Sequence, residues 1–344
     1  MTYSVFAADA NALYSSGSAA YTFALNSILP YVRLPFYQFS EQQDDNYNTN
    51  GGTNPAFPFL TGHGGANQLV PFGFLGIRTN QPMLYMNPSL PPQIPQLRVR
   101  QIYYAGATLQ AFMNSTHTTL KRVATPASVN LVDKYANTTM PIMIENSNSP
   151  SEPAKVYNIS VNQTITVPNN LYWETTTITG NLIQNLPASS NDSYVPGQFP
   201  LAATDGAFAT RWQPATNQTT SLTVNMTSIP AQPITGFYGN WGNVPPVSAK
   251  IILWNQTADG NVYGAPTTIN LGAISASQPY NATAAQSSAQ NVEPFVGNDT
   301  TVLFEPMYWS GDYAQLVVEG SQLGDGKGAT VAEFSLLGKN ATET

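Results

Sequence analysis

A change of hydrophobic period near Pro95 divides this chain and limits what it can fold into. Before it, Tyr21, Ala24, Leu25, Ile28 and Leu29 fall at i, i+3, i+4, i+7 and i+8, one apolar face of a helix. Two helices are expected over residues 2–29. Ser15-Ser16-Gly17-Ser18 separates them and supplies an N-cap, and Pro30 and Pro35 stop the second. Residues 36–65 read mostly as loop, with Asn50-Gly51-Gly52 as a turn signal. A third short helix is expected after Gly65, with Pro71 in its first turns, where a missing N–H is tolerable. After Pro95 the period becomes two. Leu97, Val99, Gln101 and Tyr103 alternate along a strand that turns at Ala105-Gly106, and Val156–Val167 and Trp173–Ile178 are rich in Val, Ile and Thr. Ser147–Pro153 reads as a linker or long loop. Asp259-Gly260, Asp325-Gly326 and Gly239-Asn240 read as hairpin turns.

Composition narrows the partners. Of 344 residues, 42% are apolar, enough for real cores, while charged residues are 9% against a usual share of about 25%. Net charge is −7, which argues against nucleic acid and against an anionic membrane surface. Cysteine is absent and there are two histidines, so no disulfide scaffold or thiol nucleophile is possible and no metal-ligand cluster is supported. No signal peptide opens the chain and no segment is long and apolar enough to span a membrane. Eleven N-x-S/T triplets occur, at Asn114, Asn137, Asn158, Asn162, Asn191, Asn217, Asn225, Asn255, Asn281, Asn298 and Asn340. Ten of them follow residue 130, in the stretch read as exposed β-structure, which favours a secreted or vacuolar glycoprotein.

Chemistry concentrates between Phe36 and Gly65. Glu41, Asp44 and Asp45 form the densest carboxylate cluster, preceded by Phe36, Tyr37 and Phe39 and followed by glycines around His63. Sugars stack on aromatic faces, and glycoside hydrolysis needs carboxyl groups as acid and base. PFYQFSEQ (Pro35–Gln42), TNGGTNPAFPFLTGHGGANQ (Thr49–Gln68) and NPSLPPQIP (Asn87–Pro95) resemble the end of the catalytic domain of fungal acid trehalases, in glycoside hydrolase family 65. Those enzymes are several times longer, so the resemblance implies that this chain is their C-terminal part.

The resemblance implies inverting hydrolysis of trehalose to two glucose molecules without a cofactor. In an inverting glycosidase a carboxylic acid and a carboxylate lie roughly 6.5–9.5 Å apart around a water. Glu41 matches the family's general base. The acid would lie on an earlier barrel helix, before Met1, which leaves activity of this chain alone in question. Gln38, Gln42, Thr61 and His63 are candidate substrate-lining groups. Asp44 and Asp45 read as solvated loop charges or supports of the substrate loop, and His117 as an exposed strand residue. The rival functions are a non-catalytic carbohydrate-binding glycoprotein, or a family 65 hydrolase of another α-glucoside.

Thr204–Pro214, Ser221–Met226, Ile234–Gly242 and Ala249–Asn255 resemble discoidin-like, galactose-binding-like β-sandwiches, closed by strands at Tyr313–Glu319 and Val331–Leu337. The expected fold is therefore multidomain and mainly β. The remnant of an (α/α)6 barrel occupies residues 1–88, a small β-sandwich 89–180, and a discoidin-like β-sandwich 181–344, which could bind glycans. Trp212, Trp241 and Trp254 are expected in its core, Asp205 in a turn, and Tyr238, Tyr280, Tyr308 and Trp309 on loops able to stack on sugars.

Overall fold

The computed structural model describes residues 3–13, 17–145, 154–170, 176–257, 259–275, 298–309, 311–322 and 326–338. The expected linker at Ser147–Pro153, Tyr280, Asp325, the sequons at Asn281 and Asn340, the Tyr308 side chain, and the first half of the expected strand at Trp173–Ile178 lie outside them, and residues 176–178 form no strand. The chain divides into two compact units, residues 1–175 and 176–344.

The first unit opens with helices α1 (Tyr3–Leu13) and α2 (Gly17–Ile28). The face of α2 that is buried differs from the apolar stripe expected. It consists of small residues, Gly17, Ser18, Ala19, Ala20, Thr22, Ala24, Asn26 and Ser27, while Leu29 is exposed. Small side chains let the helices approach closely, and the hydroxyls of Thr22 and Ser27 are satisfied within α2 on the carbonyls of Ser18 and Ala24. Short strands β1 (Val32–Arg33) and β2 (Gln38–Phe39) then pair antiparallel.

Helix α3 (Leu60–Gln68) begins before Gly65 rather than after it and takes in the whole Thr61–Gly65 stretch. It runs directly into a π-helical turn, Leu69–Phe74, which contains Pro71. Glycine is disfavoured in a helix by about 1 kcal/mol, so a loop was the natural reading. Packing accounts for the glycine at 65: a Cβ there would lie 2.6 Å from the Ser4 hydroxyl of α1.

Seven strands follow: β3 (Leu84–Met86), β4 (Gln96–Tyr104), β5 (Ala107–Asn114), β6 (His117–Val123), β7 (Met140–Ile144), β8 (Lys155–Ile159) and β9 (Thr164–Pro168). They form a β3-β7-β8 sheet and a β4-β5-β6-β9 sheet. A bulge between Val99 and Ile102 breaks the alternation of β4, so Ile102 and Tyr104 turn inward while Gln101 and Tyr103 face solvent. The core joins Phe74, Leu75, Leu84, Met86 and Leu90 to Leu109, Met113, Leu120, Ile142 and Ile159. Each such side chain contributes about 1.5–3 kcal/mol on burial.

The second unit is a β-sandwich. Its strands are β10 (Ala188–Ser189), β11 (Thr220–Asn225), β12 (Gln232–Asn240), β13 (Ser248–Gln256), β14 (Val262–Ala273), β15 (Asp299–Trp309), β16 (Tyr313–Glu319) and β17 (Glu333–Gly338). A five-stranded sheet, β10-β11-β16-β13-β14, shares a core with a three-stranded sheet, β15-β12-β17. Alternation is clean: Leu222 and Val224, Ala249, Ile251 and Leu253, and Ala314, Leu316 and Val318 face Phe237, Phe334 and Leu336. The discoidin-like segments supply β11, β12, β13, β16 and β17, and the chain as a whole is mainly β, as expected.

Trp212 and Trp241 are fully buried in this core. Trp254 is not: it is half-buried and stacks on Tyr313, with ring centroids 5.5 Å apart. Gly239-Asn240 lies within β12 rather than in a hairpin turn, and Tyr238 and Trp309 are strand residues rather than loop residues. Asp205 does hold its turn, accepting from the Ala207 N–H and the Thr210 hydroxyl.

Candidate active-site strap

The residues singled out between Phe36 and Gln68 form one folded strap in the first unit. β2 brings it close to α3. The Ser40 N–H donates to Tyr31 O at 2.8 Å and the Phe59 N–H to Phe39 O at 2.7 Å. His63, projecting from α3, accepts the Phe39 N–H on Nε2 at 3.2 Å, and the two rings meet edge-on with centroids 4.9 Å apart. The bond fixes that nitrogen as the unprotonated one in this arrangement.

Glu41 follows directly. Its backbone N–H donates to Ala56 O at 3.1 Å, and its Oε2 accepts the Ala56 N–H at 2.9 Å. This reciprocal pair fixes both the main chain and the side chain. Glu41 is exposed, and Oε1 has no hydrogen-bond partner among the described residues. A carboxylate held at one oxygen and open at the other can take a proton from a water placed against it.

Both flanks of Glu41 are tied to one ion pair. Arg33 Nε meets Asp45 Oδ2 at 2.6 Å, and Arg33 Nη2 donates to Gln42 O and Gln43 O, each at 2.9 Å. Asp45 Oδ1 in turn accepts the Ser40 hydroxyl at 2.5 Å. The Arg33 bond, helped by Ser40, holds the Asp45 carboxyl below its ordinary value. Asp44 is lowered too, first by the Thr49 hydroxyl and then by the Asn46 N–H. Both aspartates therefore shape the loop with their own side chains.

The remaining candidates spread around this centre. Gln42 accepts the Thr53 hydroxyl on its own side-chain oxygen at 2.9 Å. Gln38 is half-buried in β2 and Thr61 is exposed on α3. His117 is exposed, as expected, with Nδ1 beside the Thr116 hydroxyl. Phe36 and Tyr37 are 80% and 68% exposed, and Leu34, Tyr47, Phe57 and Leu60 of the same stretch are exposed too. Six large apolar side chains left exposed within one stretch of 27 residues is more than a free surface usually carries. Sequence reasoning missed Arg33 and Ala56. A lone arginine carries no motif, and Ala56 acts only through its backbone.

In the second unit, a polar cleft of about 320 Å³ is lined by Thr227, Gln256, Thr257, Gly260, Asp312 and Tyr313. Tyr313 is stacked on Trp254, and Asp312 holds the Gln256 N–H at 2.7 Å. Elsewhere in that unit two buried acids lie together. Burial, and then the Asp205 carboxylate, push Glu333 well above the ordinary carboxylate range, while the Gly206 N–H and the Asn181 amide oppose the shift. Tyr238 is pushed up to about 12 by burial and by Asp299 beside it. Among the described residues no group of three or more His, Cys, Asp or Glu side chains could hold a metal ion.

No protein-family model matches the chain. It is 37% identical to the cell wall acid trehalase of Arthroderma benhamiae over 98% of its own length and 34% of that protein. It is 38% identical to the acid trehalase of Emericella nidulans over 98% of its own length and 33% of that protein. The chain thus spans about a third of the length of these curated relatives. Chitosan-binding module 2 of a chitosanase/glucanase from Paenibacillus sp. IK-5 matches 46% of this chain and 100% of the module, at 18% identity and a TM-score of 0.34.

Proposed function

From a chain homologous over 98% of its length to fungal cell wall acid trehalases, we propose the C-terminal part of an acid α,α-trehalase that carries the general base. The observation that carries this reading is Glu41, clamped by Ala56 at one carboxylate oxygen and open at the other. Water attacks one anomeric carbon of trehalose while Glu41 removes its proton. A carboxylic acid outside these residues protonates the bridging oxygen. Inversion at the attacked carbon yields one β-glucose and one α-glucose. No metal or organic cofactor is called on.

The exposed apolar side chains between Leu34 and Leu60 support the same reading, because the rest of a helical catalytic barrel would bury them. Within that protein, residues 1–88 close the barrel, 89–180 form a small β-domain and 181–344 a glycan-binding sandwich. Gln38, Gln42, Thr61 and His63 line or support the trehalose site. Three relatives carry cell wall, periplasmic or secreted in their names, which supports a secreted or cell wall location here.

The test is the anomeric form of fresh glucose, followed by proton NMR, from the protein containing this chain with its catalytic domain and from its Glu41→Gln variant. Equal α- and β-glucose from the parent, and a loss of at least about 100-fold in the variant, are expected. Products of a single anomer, or an active variant, overturn the reading. Other α-glucosides run in parallel decide specificity.

A second reading, carbohydrate binding without catalysis, rests on the cleft beside Tyr313. Titration of the chain with oligosaccharides, compared with a Tyr313→Ala variant, tests it. Saturable binding lost in the variant supports a glycan site, and unchanged binding removes it.

A further inference from the structure

Nine of the eleven sequons fall on described residues, and the structure treats them very differently. N-glycosylation joins the asparagine Nδ2 to C1 of an oligosaccharide carried on a polyprenyl diphosphate. The N–C1 bond forms, the C1–O bond to phosphate breaks, the diphosphate leaves and the amide gives up a proton. A folded chain can keep such a product only where Nδ2 points to solvent.

At Asn298 it does not. This residue is 0% exposed and its Nδ2 donates to Gly242 O at 2.9 Å. Its carbonyl accepts the Trp241 N–H at 2.8 Å, and the Thr300 hydroxyl of the same sequon accepts the Trp241 indole N–H at 2.8 Å. Trp241 is a fully buried core residue. A sugar on Asn298 would open the strand end that this tryptophan plugs.

Three other sequons meet at one place on the first unit. Asn137 lies in the turn that leads into β7, Asn158 lies on β8 opposite Pro141, and Asn162 sits in the turn from β8 to β9 at φ 67. All three are exposed. β8 ends the β3-β7-β8 sheet, with no strand on its far side among the described residues. Val156 and Asn158 share its outer face with half-buried Met143 and Pro141 on β7, and Val156 is exposed. An open edge of this kind, without charge beyond Lys155, invites pairing with another chain.

We propose that Asn137, Asn158 and Asn162 carry N-glycans that together cover the edge and outer face of β8, and that Asn298 carries none. The proposal deepens the secreted reading above and rests on it for the native protein. The full chain is expressed behind a secretion leader in a glycosylating yeast, so that entry into the pathway does not depend on that reading. Its soluble, protease-resistant fraction is denatured and treated with peptide-N-glycosidase in ¹⁸O-water, and mass spectrometry scores each asparagine. Labelled Asn137, Asn158 and Asn162 with unlabelled Asn298 is the expected result. Label at Asn298 in this fraction, or its absence at any of the other three, overturns the assignment. A triple Asn→Gln variant at the three sites should scatter more light at the same concentration, and unchanged scattering would contradict the shielding role. Glycans on protein from its native source test the secreted reading separately.

Discussion

Glu41 and Ala56 exchange two hydrogen bonds. The Glu41 N–H donates to Ala56 O at 3.1 Å, and the Ala56 N–H donates to Glu41 Oε2 at 2.9 Å. The pair works like one rung of an antiparallel ladder with a side chain in place of one carbonyl. It turns a loop carboxylate into a group of fixed direction, which general base catalysis requires.

The Arg33–Asp45 pair makes the strap sensitive to acid. Asp45 has a folded-state value below its ordinary 3.8, chiefly through Arg33. Its contribution is therefore fully present above pH 3.8 and is lost as pH falls through the depressed value. The two side chains are 25% and 43% exposed, so the ion pair itself contributes under about 1 kcal/mol. The carbonyls held by Arg33 add to that. Hydrogen exchange over residues 40–53 should stay slow from pH 7 to pH 4 and quicken below it, once corrected for intrinsic rates. In Arg33→Met it should be fast throughout.

Gly65→Ala tests the packing of α3 on α1. The added methyl would lie 2.6 Å from Ser4 Oγ. Removing a mid-helix glycine should stabilise by about 1 kcal/mol, but overpacking should cost about 1–3 kcal/mol. A lower melting temperature is expected, recovered in part by adding Ser4→Ala, which removes the hydroxyl. A rise in melting temperature for the single variant would mean that α3 does not pack here.

Arg122 is fully buried, and its guanidinium donates to Thr138 O, Ile159 O and Tyr135 O as well as to Asp133. Arg122→Leu would leave these acceptors and one carboxylate without their donor. A loss of about 3–5 kcal/mol in denaturant unfolding is expected, and a loss under about 1 kcal/mol would contradict the burial of this network.

Much of the sandwich was legible because its signal is local. Leu222 and Val224 in β11, and Ile251 and Leu253 in β13, alternate as half-buried strands must. The first unit was harder. The Thr61–Gly65 stretch reads as a loop on propensity, yet forms a helix whose Gly65 lies against Ser4 of α1. The apolar stripe expected on α2 likewise gave way to Ala24 and its small neighbours. Trp254 reads as core by type, but its place on β13 turns it onto Tyr313. At the candidate site the carboxylate was visible and its holder was not. Ala56 lies fifteen residues from Glu41 and acts only through its main chain, which no residue pattern encodes.

Chemical rescue of Glu41→Ala, in the protein that contains this chain with its catalytic domain, tests the role of Glu41 most directly. Trehalose turnover should fall by about 10²–10⁴-fold and should recover with added azide, which needs no base. The recovered product should be β-glucosyl azide, the inverted anomer. Turnover that survives in the alanine variant without azide, or an α-glucosyl azide product, would contradict the assignment of Glu41 as the base of an inverting reaction.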